Sequence, residues 1–217
     1  MPGTVVVCGA TGRVGSLVVS DLRARGLPVR VVGRPSVRLE ALASLGAEVR
    51  AGDTTDPQFM RAAFRDAATA FLMTPVDTSA EDVNAVQFAL IDAAATGLAR
   101  SETRHVVLLS SWGAELERRV GGIIACHRFE VALGGIDGLN VVHLRPVWFM
   151  DNFLWTIPLV RMAGINGSAI DGTVSFPMIA ARDIAPVATS LLAEPTFSGA
   201  SVRYLYGPRA YSLVEML

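Results

Sequence analysis

The chain has 217 residues, 51% of them hydrophobic, which supports one domain with a large core or one domain with a small appendage. Its formal net charge of −1 creates no field that would gather nucleic acid or an anionic membrane, so neither is expected as a partner. All 19 Lys/Arg-type cations are arginine, which excludes any chemistry that needs a lysine amine.

The two cysteines, Cys8 and Cys126, make neither a disulfide framework nor a zinc site, and no metal centre is expected. No basic region followed by a long apolar run opens the chain, and no stretch reaches the roughly 18 apolar residues of a spanning helix. The expectation is a cytoplasmic protein.

Thr4 to Cys8 reads as a first strand. Val14, Leu17, Val18 and Leu22 then mark one face of a helix, stopped by Gly26. Val29 to Val32 is a second strand. Leu39, Leu42 and Leu45 mark a second helix, closed by Gly46. Ala47 to Ala51 is a short third strand. Pro57 opens a helix that runs to about Arg65, with Asp56 as its cap. Ala68 to Met73 is a fourth strand, Val83 to Ala95 an Ala-rich helix, and Arg104 to Leu109 a fifth strand. Gly122 to Leu133 reads as a helix and Asn140 to Leu144 as a sixth strand. Residues 147–182 read as irregular, 183–193 as helical, and Val202 to Leu205 as a late strand. Strands alternating with helices predict an α/β fold with a doubly wound parallel sheet. Residues 1–146 form the dinucleotide-binding part. Residues 147–217 form a smaller substrate or lid region with elements that return to the sheet, all in one unit.

The segment Gly9-Ala10-Thr11-Gly12-Arg13-Val14-Gly15 lies between the first strand and the first helix. The first glycine permits the tight turn, the second leaves room for a pyrophosphate, and the third lets helix and strand pack closely. Amides at the helix N-terminus hold the anion. The end of the second strand distinguishes the two nicotinamide dinucleotides. A carboxylate there suits a ribose diol and a cation suits a 2′-phosphate. Here the sequence is Val32-Gly33-Arg34-Pro35, so NADP(H) is expected rather than NAD(H). Arg13 and Arg38 are further cations within reach. Asp53 is placed to meet the adenine, and Met73, Thr74 and Pro75 to line the middle of the cofactor.

Further residues join these. They are Gly52-Asp53, Phe71-Leu72-Met73-Thr74-Pro75, Ser110-Ser111-Trp112-Gly113-Ala114, His127-Arg128-Phe129-Glu130, Leu144 to Asn152, Asp183-Ile184-Ala185 and Tyr206-Gly207-Pro208. With them the chain resembles the NmrA-like branch of the atypical short-chain dehydrogenases/reductases, which includes quinone reductases, triphenylmethane-dye reductases and NADP-sensing regulators. The resemblance implies a Rossmann-type domain with a small C-terminal substrate region. It also implies that Pro146 to Phe149, including Trp148, pass close to the nicotinamide, with Ser110 and Ser111 nearby. Two departures stand out. Family members run to longer chains, so either a short member or a substrate-covering tail beyond Leu217 is expected, and the segment between Gly113 and Cys126 is compressed.

Typical short-chain dehydrogenases use a Tyr-x-x-x-Lys pair, in which the lysine lowers the tyrosine pKa. Here there is no lysine, and the tyrosines are Tyr204, Tyr206 and Tyr211, far along the chain. His127 is the candidate proton donor, oriented by Glu130; the rival reading is a half-buried histidine paired to a carboxylate for packing. His105 and His143 read as structural. The run from Trp148 to Trp155 reads as a pocket wall, as core, or as the face of a homodimer. The expected function is an NADPH-dependent reductase that transfers hydride to a small apolar electrophile such as a quinone or dye. The alternative is a non-catalytic NADP(H) sensor acting through a protein partner.

Overall fold

The computed structural model describes residues 3–118, 121–168 and 170–216, so Leu217 lies outside the described residues. The elements are β1 (Thr4–Cys8), α1 (Arg13–Ala24), β2 (Val29–Gly33), α2 (Val37–Glu40), β3 (Glu48–Ala51), α3 (Pro57–Phe64), β4 (Ala67–Met73), α4 (Val83–Ala99), β5 (His105–Leu109), α5 (Ile124–Gly134) and β6 (Asn140–Pro146). Then come β7 (Trp148–Phe149), α6 (Ile157–Ala163), β8 (Ser175–Ile179), α7 (Ala181–Ala193), β9 (Ala200–Leu205) and β10 (Ala210–Ser212).

Seven strands pair in the order β3-β2-β1-β4-β5-β6-β9, every pair parallel. This is the Rossmann-like, doubly wound α/β sheet expected from the alternation of elements. β1 shows why the strands read as apolar runs. Val5 and Val7 face one side with α1 and α7, while Val6 faces the other with α3, α4 and α5. A parallel strand covered on both faces has no polar face to show.

Among the described residues of 147–182, regular elements stand where irregular chain was expected, with residues 164–168 and 170–174 remaining outside helix and strand. Here β7 and β8, with β10, form a second sheet in the order β10-β8-β7, and α6 lies between β7 and β8. Pro177 hides β8 in the sequence, since proline removes a ladder donor. Here β7 reaches only Met178 and Ile179, and Pro177 pairs with Ala210 of β10 alone, so it blocks no ladder position on the β7 side. The Leu39, Leu42, Leu45 spacing is three, not 3.6. The structure answers with α2 followed by a 3₁₀ helix over Ala41–Leu45. Among the described residues no helix is long and apolar enough to cross a membrane.

Candidate functional site

The carboxyl ends of β1, β2 and β4 open onto a cavity of about 360 Å³. Gly9, Ala10 and Thr11 form one wall, Gly33 to Ser36 a second, and Met73 and Pro75 a third. Apolar side chains of the helical layer, Leu90 and Phe129 among them, close its depth. Such a crevice at the carboxyl edge of a doubly wound sheet is where ligands of this fold sit.

The glycine loop is shaped by close approach. Gly9 has φ +70, and a Cβ on it would lie 2.4 Å from Met73 Sδ. A Cβ on Gly15 would lie 2.2 Å from the Gly9 carbonyl oxygen, so α1 can pack against the turn only because that position is bare. The Gly12 amide donates to the Gly9 carbonyl at 2.9 Å, and no side chain caps α1. The amides of the first turn of α1 are left for an anion. A pyrophosphate fits this bare, uncapped cradle. Val14 is buried beneath it, so only its backbone can take part.

The arginines divide. Arg34 lines the cavity mouth and pairs with Asp77 at 2.8 Å. Arg38 donates to the Thr11 carbonyl, which places it at the same mouth. Arg13, expected to reach a 2′-phosphate, turns instead onto Asp151, donating to its carbonyl and lying 3.8 Å from its carboxylate, with the Trp155 ring 5.4 Å away. Asp151 in turn accepts from the Ala181 amide at 2.8 Å, at the start of α7, whose own N-cap residue is an alanine. The carboxylate serves as a cap supplied from another segment, and this holds Arg13 away from the arginines at the mouth.

Asp53 turns its carboxylate onto the Thr55 amide and hydroxyl, at 2.9 and 2.7 Å, and these bonds hold its carboxyl below the ordinary range. Thr54 rather than Asp53 lines the cavity, because an aspartate two residues before a free amide closes an Asx turn on itself. Asp56 caps α3, accepting from the Gln58 amide at 2.8 Å.

On the other side of the crevice the residues after β5 are clamped to β6. Ser110 N donates to the Leu144 carbonyl at 2.8 Å, and Trp112 N to the Pro146 carbonyl at 3.0 Å. This brings Ser110 and Ser111 beside Pro146 and the start of β7. Trp148 packs edge-on against Phe176, with ring centroids 5.6 Å apart, and Phe149 packs against the core. Leu154 and Trp155 are exposed. Thr74 approaches Cys126, oxygen to sulfur, at 3.8 Å.

Glu130 does not orient His127. Ser110 Oγ donates to its Oε1, and Arg145 clasps it twice, Nε to Oε1 at 3.0 Å and Nη2 to Oε2 at 2.6 Å. Burial opposes ionisation of Glu130. The hydrogen bonds from Arg145 and Ser110 outweigh it, helped by the charge of Arg145, and hold the carboxyl below the usual glutamate range. Arg145 also reaches Glu115 at 3.0 Å and the Tyr204 hydroxyl at 2.8 Å.

His127 Nδ1 lies 2.9 Å from the Ala114 carbonyl oxygen. A carbonyl only accepts, so Nδ1 carries the hydrogen and Nε2 is left with a lone pair in the neutral ring. The Glu130–Arg145 pair escaped sequence reasoning, although both residues stand in quoted motifs. Their pairing depends on how α5 packs over β6, which spacing does not encode.

Cys8 lines the cavity as an inert thiol, pushed up to about 12 by burial. Among the described residues no group of three His, Cys, Asp or Glu is placed to hold a metal.

The NmrA-like family profile matches residues 1–108. An NAD(P)H azoreductase from Xenophilus azovorans is 29% identical over 215 residues, which are 98% of this chain and 71% of the azoreductase. The fold superposes on a Citrobacter triphenylmethane reductase complexed with NADP(H), with a TM-score of 0.79 and 18% identity, covering 98% of this chain and 73% of that one. It superposes likewise on an Escherichia coli NADPH-dependent quinone oxidoreductase complexed with NADPH. There the TM-score is 0.77 with 22% identity, over 98% and 72% of the two chains.

Proposed function

We propose that this chain, whose residues 1–108 match the NmrA-like family profile, is an NADPH-dependent reductase that passes hydride to a small apolar electrophile, of the quinone or dye class. The observation that carries the reading is the cavity itself. It runs from Gly9 to Thr11, the start of the bare glycine cradle, to a mouth that Arg34 lines, with Arg38 held to the Thr11 carbonyl and no carboxylate at the end of β2. The azoreductase relative and the dye and quinone reductases with this fold support it.

In this reading the first-turn amides of α1 hold the pyrophosphate, Arg34 and Arg38 face the 2′-phosphate, and Thr54, Met73 and Pro75 enclose the adenosine half. Bound NADPH supplies the hydride. Ser111, Pro146 and Trp148 form the nicotinamide side. His127 braces the Ser110–Ala114 turn through Ala114 and offers Nε2 toward substrate, delivering a proton only in its doubly protonated form. A quinone or cationic dye accepts hydride without a strong acid nearby, so the absent Tyr/Lys pair does not bar the reaction.

Two assays test this. Titration with NADPH and NADH should show NADPH preferred, with Arg34→Ala weakening NADPH about tenfold, the effect of one charge-assisted contact of about 1.5 kcal/mol. NADPH oxidation should then proceed with quinones, azo dyes or triphenylmethane dyes, and His127→Gln should lower kcat while leaving NADPH affinity unchanged. Tight NADPH binding with no turnover across the panel would overturn the reductase reading. It would favour a redox sensor, in keeping with the engagement of His127 by a backbone carbonyl.

A further inference from the structure

Arg34, the arginine just past β2, has a partner across the cavity mouth. Its Nη1 donates to Asp77 Oδ2 at 2.8 Å. Asp77 lies in the loop after β4, four residues beyond Met73, so the pair joins the rim formed by Gly33–Ser36 to the rim formed by Met73 and Pro75. The two partners are held unequally. Asp77 is fixed from behind, because its Oδ1 accepts from the Ser79 amide at 3.1 Å and from the Ser79 hydroxyl at 2.6 Å, and 23% of its side chain is exposed. Arg34 is 69% exposed and makes no other side-chain hydrogen bond among the described residues. Any exchange of partners therefore moves the arginine and leaves the carboxylate in place.

We propose that Asp77 is a cofactor-selectivity residue, which competes with the adenosine 2′-phosphate for Arg34 and lowers the margin by which NADP(H) is preferred over NAD(H). The inference rests on the dinucleotide reading above. A phosphate dianion offers a guanidinium more charge and more acceptor oxygens than one carboxylate oxygen, so it wins Arg34. Asp77 is then left as a like charge facing the phosphate, which reduces the gain. With NAD(H) no anion arrives. The Arg34–Asp77 pair persists across the mouth, and the carboxylate keeps lone pairs free to accept from a ribose hydroxyl. A cation after β2 alone would predict strong discrimination; a cation already paired to a fixed carboxylate predicts a weaker one.

The test is a cycle of dissociation constants for NADPH and NADH on the native chain, Asp77→Asn, Arg34→Ala and the double variant. Asp77→Ser serves as a second replacement, and circular dichroism verifies the fold. Asp77→Asn should tighten NADPH about three- to tenfold, the scale of one exposed ion pair and one like-charge contact. It should leave NADH unchanged or weaker, and in the Arg34→Ala background it should lose most of its effect. The idea is overturned if Asp77→Asn leaves NADPH affinity unchanged, if NADH tightens equally, or if the gain persists undiminished without Arg34. A native chain that binds neither dinucleotide removes the cofactor reading and this inference together. A native chain that prefers NADPH through Arg34 but ignores Asp77 removes this inference alone.

Discussion

Placing a single methyl group on Gly15 would set carbon 2.2 Å from the Gly9 oxygen and 2.8 Å from the Gly9 carbon, both backbone atoms that cannot swing aside. We expect Gly15→Ala to push α1 off the turn, with a stability loss of about 1–3 kcal/mol for overpacking and NADPH binding weakened at least about tenfold. Chemical denaturation and calorimetric titration read the two effects separately. A variant with native stability and native affinity would show that the cradle yields. Gly15 was legible because the motif places it between a strand and a helix. Arg13 was not. Its chemistry suits a phosphate, but its position in the fold offers it Asp151 and the Trp155 ring, both some 140 positions away in sequence. A side chain's type sets what it can bind, whereas its choice among partners is settled by tertiary neighbours that no local pattern contains.

α7 shows the same limit for a whole element. Its Asp183-Ile184-Ala185 start and its apolar face are visible in the sequence, but its cap is not, because Ala180 has no hydroxyl or carboxylate and Asp151 supplies one from another segment. Asp151→Ala should cost about 1 kcal/mol of stability, the usual value of an N-cap, and should remove the carboxylate beside Arg13 while leaving its bond to the residue 151 carbonyl in place. A thermal melt of Asp151→Ala indistinguishable from the native one would mean that the amides at this end of α7 are satisfied by solvent. β8 was missed because Pro177 argues against a central strand, and β10 because three residues carry no period. The main sheet was readable because strands buried on both faces are runs of valine, leucine and alanine with glycine or polar punctuation.

For the molecule as a whole, acid is the condition that acts on the buried polar cluster. Burial, against the pull of Glu130 and with the help of Arg145, holds His143 below its ordinary value of 6.5, so the folded protein keeps it neutral. Glu130 is held below 4.5. In both cases the unfolded chain binds the proton more readily, so stability rises with pH through these windows and falls as acid is added. We expect loss to begin as pH drops below about 6.5, through His143, and to steepen below about 4.5, through Glu130. His143→Leu should flatten the upper part of the profile and leave the lower part intact, as measured by urea midpoints at successive pH values. An unchanged slope between pH 6.5 and 5 would remove His143 from the account.

The packing of α7 on α1 also sets an order of events in time. The inner face of α1, with Val14, Val18 and Leu22, shares a core with Ile184, Ala188 and Leu191 of α7. About 170 residues separate the end of one helix from the end of the other. At a synthesis rate of about 5–20 residues per second, α1 leaves the ribosome roughly 10–30 s before α7 exists to cover it. For that interval the glycine loop sits on a helix whose apolar flank has no α7 to cover it, and that flank is buried against α7 only when the last quarter of the chain arrives.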